Sequence, residues 1–372
     1  MADACLERQP THVKNSAFRV ALMPGDGIGV EVIDACVAVL ATLQATSGVT
    51  LSLDRLDAGA MHYKATGTAM SDETFRRAAE ADAILLGAMG WPEIRYPDGT
   101  EIAPQLDLRF RLGLYAGVRP IRALPGMPLA LAHPRAKDID FVLIRESTEG
   151  LFASRGKGEL IGDREARDTQ VITRDVSERL FDFTLTLAGD RKTRGRPGHV
   201  TCVDKANVFR SFAFFRKIFD ERAARHPAIG TSHQYVDACA LDMVRRPWDF
   251  DVLVTENMFG DILSDLAAGL IGGMGFAPSA DIGDKNAVFQ PSHGTAPDIA
   301  GQGKANPVAT FLSAALMLRW LGDRHAAPAA TAAGVRLEQA VDAALASGSV
   351  RPFDAGGRDG TAALTRAVID RL

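Results

Sequence analysis

Residues 18–29, FRVALMPGDGIG, open with a short apolar run that ends in a turn containing three glycines. Apolar residues then recur with the spacing of a helix face, at Val32, Ile33, Cys36, Val39, Leu40 and Leu43. A strand, a glycine turn and a helix are therefore predicted. The turn is not the dinucleotide fingerprint GxGxxG, because Val30 stands where the third glycine is required. The glycines either make a tight turn only or let a cofactor approach the backbone closely.

The same alternation of strand and helix continues along the chain. Short apolar runs predict further strands at residues 83–86, 141–144, 199–203 and 251–255. Helical patterns follow at residues 211–224, 237–245, 260–270 and 335–346, the last after an alanine-rich segment, 326–333, interpreted as a linker. Residues 153–169 are polar and glycine-bearing, which indicates a solvated loop or a protruding arm. The pattern predicts an α/β protein with substantial parallel sheet.

Length and composition limit the class of protein. A chain of 372 residues lies near the upper size of a single hydrophobic core, so two domains are expected. Hydrophobic residues make up 47% of the chain and charged residues 24%, as in ordinary globular proteins. The 42 basic and 46 acidic residues give a net charge of −4, which argues against a general nucleic-acid binder.

Neither a membrane protein nor a secreted disulfide scaffold is expected. No stretch approaches the roughly 18 apolar residues that a membrane span needs. Residues 1–16 lack the apolar core of a signal peptide and are interpreted as a short disordered leader. Cys5, Cys36, Cys202 and Cys239 show no CxxC or other ligand spacing, so a reducing cytoplasm is the expected location.

Three arginines are candidates for substrate binding: Arg109, Arg119 and Arg145. An isolated arginine is usually a solvated surface residue. Three that converge would clamp a substrate with two or three carboxylates, because guanidinium groups match carboxylate geometry with two parallel hydrogen bonds. Arg145 follows a predicted strand, and ligands of α/β sheets bind near strand ends.

Acidic residues at helical spacing suggest a metal site. In NMFGDILSD, residues 257–265, Asp261 and Asp265 stand four apart and would share one helix face. The pair is either a solvated acidic face or a site for a hard divalent cation such as Mg²⁺ or Mn²⁺. Asp237 begins another predicted helix, where it could be a simple cap, and Lys205 follows a predicted strand as a surface charge or a proton carrier.

Together and in this order, these motifs resemble the β-decarboxylating dehydrogenases, the family of 3-isopropylmalate, isocitrate, homoisocitrate, tartrate and D-malate dehydrogenases. The most specific segments are residues 24–29, 203–208, 257–265 and 293–306. The resemblance implies a two-domain α/β fold that is not the Rossmann fold. Residues 1–114 and 272–372 would form the first domain with the cofactor loops, and residues 115–271 the second, with a dimerisation arm near 153–169.

The resemblance also implies a role for each candidate residue. Arg109, Arg119 and Arg145 would hold the malate moiety, Lys205 would be the catalytic lysine, and Asp261 and Asp265 would bind the metal. Asp237 would be a ligand and catalytic residue given by the other subunit, so that a homodimer shares its active sites. Contacts to the cofactor would come from Ile28, Asn207, His293, Gly294, Thr295, Ala296, Asp298 and Asn306. The carboxylate of Asp298 favours NAD, because it would accept hydrogen bonds from ribose hydroxyls and repel the phosphate of NADP.

Two departures from the family leave the substrate and the reaction open. Phe152 stands where relatives carry the tyrosine that donates the last proton of decarboxylation. Another proton source, an oxidation without efficient decarboxylation, or a non-catalytic member that binds NAD and a dicarboxylate are the alternatives. Gln105 stands where isopropylmalate enzymes place leucine, and a buried amide suits a branched alkyl group poorly. Tartrate, D-malate and 3-isopropylmalate therefore all remain candidate substrates for an NAD- and metal-dependent enzyme.

Overall fold

The computed structural model describes residues 16–372 and shows helices packed on a large mixed sheet. The α/β class predicted from the sequence is confirmed. Apart from Ser16, the expected leader lies outside the described residues.

The strands alternate with helices along most of the chain. The strands are β1 Ser16–Gly25, β2 Val49–Arg55, β3 Ala83–Ala88, β4 Ala116–Arg122, β5 Asp140–Glu146, β6 Glu159–Ile161, β7 Glu165–Arg167, β8 His199–Asp204, β9 Gly230–Tyr235, β10 Val252–Thr255, β11 Pro278–Ile282 and β12 Ala287–Pro291. The helices are α1 Ile28–Ser47, α2 Ala60–Thr66, α3 Asp72–Glu80, α4 Pro104–Arg111, α5 Arg174–Thr193, α6 Arg210–Ala223, α7 Val236–Arg245, α8 Asn257–Leu270, α9 Val308–Arg324, α10 Pro328–Ala346 and α11 Thr361–Ile369.

One sheet of ten strands runs through the molecule in the order β2-β1-β3-β12-β11-β4-β5-β10-β8-β9. The strands β2, β1, β3 and β12 are mutually parallel, and so are β5, β10, β8 and β9. Between these two blocks, β11 and β4 are antiparallel to each other and to their outer neighbours. The antiparallel centre distinguishes this sheet from the parallel sheet of a Rossmann fold.

Strands from both ends of the chain share one half of the sheet, while β5 and β8–β10 form the other. This order agrees with the division into residues 1–114 with 272–372 and residues 115–271. The division itself remains a prediction.

The segment 326–333, interpreted as a linker, is instead mostly helical, because α10 begins at Pro328. Proline is well tolerated in the first turn of a helix, and alanine is the strongest helix former. The small residues also let α10 pack closely against α9: a Cβ on Gly334 would lie 2.6 Å from the carbonyl oxygen of Ala315.

The expectation that no stretch approaches the length of a membrane span is wrong for α1, which is long and apolar enough by length and composition. Val32, Ile33, Cys36, Val39 and Leu40 on this helix are fully buried in the main core. Its hydrophobicity is therefore used in packing against the sheet.

The segment 153–169 contains a small antiparallel hairpin of β6 and β7. The residues of both hairpin strands are exposed, including the apolar side chains of Leu160 and Ile161, at 81% and 45% relative exposure. An exposed pair of large apolar residues fits a protruding arm that meets another surface. Its role in dimerisation remains a prediction.

Cys36, Cys202 and Cys239 are buried and unpaired, while Cys5 lies outside the described residues. Burial raises the pKa of the Cys36 and Cys239 thiols to about 12 and that of Cys202 well above its ordinary value. These three side chains act as small apolar residues of the core.

Candidate active site

A polar cavity of about 260 Å³ lies over the central strands of the sheet. The register of these strands aligns Gln290 with Ser279 and both Asp281 and Arg145 with Gly117. Since side chains two residues apart on a strand share a face, Arg119 lies on this face as well. The antiparallel centre of the sheet thus brings residues from distant parts of the sequence to one place.

All three predicted arginines line this cavity: Arg109 from α4, Arg119 from β4 and Arg145 from β5. They are buried, with relative exposures of 6%, 6% and 4%. The solvated-surface interpretation is therefore excluded. The Nε atom of Arg109 is buried and has no hydrogen-bond partner among residues 16–372, so one donor remains free for a ligand.

A buried carboxylate that sequence reasoning missed joins two of the arginines. Asp281 accepts from Nη2 of Arg109 through Oδ2 and from Nη2 of Arg119 through Oδ1, both at 3.1 Å. The Gln290 amide also donates to Oδ2, at 3.1 Å. The available signal was an aspartate within the mostly apolar stretch FAPSADIG, residues 276–283, which itself contains no basic residue.

The charged groups of this cluster shift one another's pKa values. The three nearby guanidinium groups outweigh the opposing effect of burial and lower the pKa of Asp281 to about 2. Burial, reinforced by the charge of Arg109, lowers the pKa of Arg145 to about 10 against the opposing effect of Asp261. With these pKa values, Asp281 is a carboxylate and Arg145 a guanidinium cation at neutral pH.

Arg145 is held in place by the start of α8. Its Nε atom donates to Oδ1 of Asn257 at 2.9 Å, and Nδ2 of Asn257 donates to the carbonyl oxygen of Glu149 at 2.8 Å. Gly260 gives the arginine room, because a Cβ there would lie 2.6 Å from its Cγ. Asn257 and Gly260 belong to the segment 257–265, which carries part of the family resemblance, but their role in positioning Arg145 was not predicted.

The two predicted metal ligands of α8, Asp261 and Asp265, both line the cavity. Asp261 forms an ion pair with Arg145. Burial and the neighbouring charge of Asp261 raise the pKa of Asp265. Asp261 thus has a cationic partner, whereas the environment of Asp265 disfavours its charged form. Such a pair of carboxylates has the oxygen donors that a hard divalent cation prefers.

Within residues 16–372 of one chain, the donor set is incomplete: no group of three or more His, Cys, Asp or Glu side chains could hold a metal ion. Asp237 and Lys205 do not line the cavity. They pair with each other instead, with 2.6 Å between Nζ and Oδ1, near the carboxyl end of β8. That hydrogen bond from Lys205 lowers the pKa of Asp237 below its ordinary value.

The glycine turn at residues 25–29 and the loop that follows β12 meet beside the cavity. The amide of Ile28 donates to the carbonyl oxygen of Thr295 at 2.9 Å. A Cβ on Gly27 would lie 2.1 Å from that oxygen, so only glycine allows this approach. His293 and Gly294 line the cavity.

Several residues of this loop are available to a ligand. Burial lowers the pKa of His293, and its buried Nε2 atom has no partner within the described chain. Asp298 and Gly294 are exposed, as is Asn207 after β8, while Ala296 has a φ of 37°. The orphaned imidazole nitrogen and the glycine cradle fit a cofactor lying along the loop.

Asn306 differs from these residues because its amide is already engaged. It donates to both carboxylate oxygens of Asp354, at 3.1 and 3.0 Å, and accepts from the amide of Val308 at 3.1 Å. These bonds tie the start of α9 to the turn at residues 353–355. A cofactor contact by Asn306 remains a prediction.

Gln105 and Phe152 complete the cavity wall. The Oε1 atom of Gln105 is buried without a partner within residues 16–372. The ring centre of Phe152 lies 5.1 Å from the guanidinium carbon of Arg145. The two residues that depart from the family pattern thus lie beside the arginines.

A family model described as isocitrate/isopropylmalate dehydrogenase matches residues 19–372. The chain belongs to this family. It is therefore an oxidoreductase that acts on a hydroxy acid, and the fold expected from the sequence is confirmed.

Two similar relatives carry different names at the same identity. The 3-isopropylmalate/3-methylmalate dehydrogenase of Methanocaldococcus jannaschii is 41% identical over 355 residues, covering 95% of this chain and 98% of the relative. The isocitrate/homoisocitrate dehydrogenase of Thermus thermophilus is also 41% identical, over 358 residues, with 96% and 99% coverage. Overall identity therefore does not select the substrate.

Solved structures agree with this assignment. The crystal structure of isocitrate dehydrogenase from Methylococcus capsulatus has a TM-score of 0.81 and 35% identity, and the match covers 95% of this chain and 99% of that one. A β-decarboxylating dehydrogenase from Thermococcus kodakarensis in its apo form has a TM-score of 0.75 and 36% identity, with 95% and 96% coverage.

The position of Arg145 in this dehydrogenase can be tested through Gly260→Ala. The added methyl group would force the arginine stem away from α8, and small misplacements of a positioning group are costly, so we expect affinity for (2R)-malate with Mn²⁺ to fall about 10-fold. Isothermal titration calorimetry measures it.

The control is Gly189→Ala in α5, where the new Cβ would meet only Cδ1 of Ile229, at 3.9 Å. This variant should bind as the unmodified protein does. Equal affinities for the two variants would contradict the positioning of Arg145 by Gly260.

Proposed function

We propose that the protein oxidises a (2R)-malate-type hydroxy acid with NAD and Mg²⁺ or Mn²⁺, and that decarboxylation follows. The observation that carries this proposal is the convergence of Arg109, Arg119, Arg145, Asp261 and Asp265 on one buried cavity. A small dicarboxylic acid suits a cavity of about 260 Å³ lined by guanidinium groups.

The arginines would bind and orient the substrate. Arg109 has a free buried Nε donor, and Arg145 is fixed by Asn257 and Gly260, so both present donors in set directions. Buried, preorganised cations bind carboxylates without reorganisation during the reaction. The malate carboxylates would therefore be held before hydride transfer begins.

Asp261 and Asp265 would hold the divalent cation together with Asp237 of a second copy. When bound, the cation would supply Lewis-acid polarisation of the substrate hydroxyl and stabilise the enolate charge. Its positive charge would also oppose the burial and the charge of Asp261, which together raise the pKa of Asp265. Lys205 of the second copy would accept the hydroxyl proton as a neutral amine; in this structure its Nζ atom donates a hydrogen bond to Asp237.

This arrangement requires a homodimer with shared active sites. Lys205 and Asp237 lie outside the cavity of their own chain, and Asp237 is 69% exposed. Large exposed apolar side chains lie close in sequence to Lys205, on α7 with Asp237 and on α8 with Asp261: Val208, Phe209, Leu241, Val244 and Ile262. Exposed apolar surface of this kind is typical of a protein interface.

NAD is proposed from the loop that meets the glycine turn. Ile28, Thr295, Ala296 and Gly294 would form its backbone cradle, and His293 and Asn207 would contact the nicotinamide side. The exposed carboxylate of Asp298 would bind the ribose hydroxyls. Asn306 would complete the loop from its position against Asp354.

A cytoplasmic location is part of the proposal, without a membrane or nucleic-acid partner. Three unpaired, buried cysteines suit a reducing compartment, and the net charge of −4 does not favour a polyanion.

Reduction of NAD tests the proposed function directly. The protein with Mn²⁺ should produce NADH from at least one acid in a panel of (2R)-malate, tartrate and alkylmalates, and EDTA should abolish the reaction because the two carboxylates would lose their cation. Absorbance at the NADH band measures it. A protein that binds these acids but reduces no NAD would contradict the proposal.

Complementation between inactive variants tests the shared site. Lys205→Met and Asp261→Asn should each lower kcat by a factor of about 100 or more, because each removes a reacting or metal-binding group. After the two variants are unfolded and refolded together, random pairing would give heterodimers with one intact site and about a quarter of the unmodified activity.

Each variant refolded alone is the control and should stay inactive. If the mixture also stays inactive while mixed dimers are present, each chain uses its own Lys205 and the shared site is wrong.

Phe152 favours a second candidate, an oxidation in which decarboxylation is inefficient. Its ring lines the cavity beside Arg145 but carries no hydroxyl group to donate a proton. We expect less than one CO₂ per NADH from the unmodified enzyme and a ratio closer to one from Phe152→Tyr. Simultaneous measurement of both products decides this, and a ratio of one in the unmodified enzyme refutes it.

A further inference from the structure

Asp281 is an internal ligand of the substrate arginines. It is 2% exposed, and each of its oxygens accepts a hydrogen bond from a different guanidinium group. Gln290 and Ser147 donate to the same carboxylate, at 3.1 and 3.4 Å. Asp281 thus occupies hydrogen-bond donors of Arg109 and Arg119 that a bound acid could otherwise use.

The backbone is arranged to admit this carboxylate. Gly117 lies between Asp281 and Arg145 in a row across three strands. A Cβ at residue 117 would lie 3.1 Å from Oδ1 of Asp281 and 2.6 Å from Oγ of Ser147. A side chain there would crowd the aspartate, so the glycine and the aspartate form one feature of the site.

The charge of the cavity follows from these residues. Three guanidinium groups face one permanently bound carboxylate, which leaves a surplus of two positive charges for a ligand. Within one chain, the two charges of the proposed divalent cation would be matched by Asp261 and Asp265. A substrate with two carboxylates neutralises this surplus, whereas a third carboxylate would be buried without a counter-charge, which is costly.

Among the described residues of one chain, no lysine or arginine other than Arg109, Arg119 and Arg145 lines the cavity and could pair with a third carboxylate. Gln105, from the same helix as Arg109, contributes a neutral amide whose Oε1 atom is buried without a partner in the described chain. Phe152 contributes an aromatic ring. An uncharged substituent with a hydrogen-bonding group matches this wall better than a carboxylate does.

We propose that Asp281 is a specificity-determining residue, which restricts this dehydrogenase to dicarboxylic hydroxy acids with an uncharged substituent and excludes tricarboxylic acids. This inference rests on the proposed function, because it concerns the acid bound in that cavity. Asp281 acts through Arg109 and Arg119, which it holds in position, and its charge sets how many carboxylates they can accept.

The test compares Asp281→Asn and the smaller Asp281→Ser with the unmodified enzyme. The ratio of kcat/KM for isocitrate to that for (2R)-malate should rise at least 10-fold in one or both variants, because the neutral side chain releases one positive charge. The matched control is Asp284→Asn, whose aspartate pairs with Arg179 and has a side chain that is 61% exposed. It should leave the ratio unchanged.

Binding measurements keep the test independent of turnover. Calorimetric affinities for tricarballylate and succinate, which carry three and two carboxylates, should shift towards tricarballylate by a similar factor in the Asp281 variants. The proposal would be overturned if both Asp281 variants left both the kcat/KM ratio and the affinity ratio unchanged. An unmodified protein that reduces no NAD would refute the proposed function alone, because the binding ratio would still report whether Asp281 selects by charge.

Discussion

The ion pairs between Asp281 and the guanidinium groups of Arg109 and Arg119 are the interaction on which the site depends. Three buried cations within one cavity repel each other, and burial alone would make them costly. The aspartate offsets part of that repulsion and fixes two of the three side chains, while Asn257 and Gly260 fix Arg145. The rest of the cavity is arranged around these fixed cations.

The sheet topology makes this cluster possible. Asp281 and Arg119 lie on β11 and β4, the antiparallel pair that joins the two parallel blocks, and Arg145 follows on β5. The strands are neighbours in space although more than 130 residues separate Arg145 from Asp281 in sequence. The strands β4 and β11, which connect the two parallel blocks of the sheet, therefore also contribute to the wall of the cavity. The same residues serve the fold and the candidate substrate site.

Local patterns were enough to predict part of this structure. The apolar runs at β1, β3, β5, β8 and β10 and the periodic patterns of α6, α7 and α8 predicted those elements, because their buried faces repeat with a clear period. The short strands β4 and β11 were not predicted. They carry arginine, serine or aspartate on the cavity face and a proline on the opposite face, which removes the apolar signal that strands in a core usually give.

The candidate site shows the same division. Arg109, Arg119, Arg145, Asp261 and Asp265 were predicted and meet in one cavity, whereas Asp281 and the positioning role of Gly260 depend on contacts between distant segments. Spacing along one helix can reveal Asp261 and Asp265 as a pair. No local pattern can reveal that a carboxylate on one strand pairs with a guanidinium group from another part of the chain.

The burial of Cys36, Cys202 and Cys239 has a consequence for the chemical durability of the enzyme. Thiolates react with oxidants and alkylating agents far faster than thiols do, and these three groups remain protonated and shielded in the folded chain. Within the part of the chain that begins at residue 16, modification of sulfhydryl groups thus requires the core to open first. Alkylation at these positions would measure exposure of the core, separately from any chemistry at the substrate cavity.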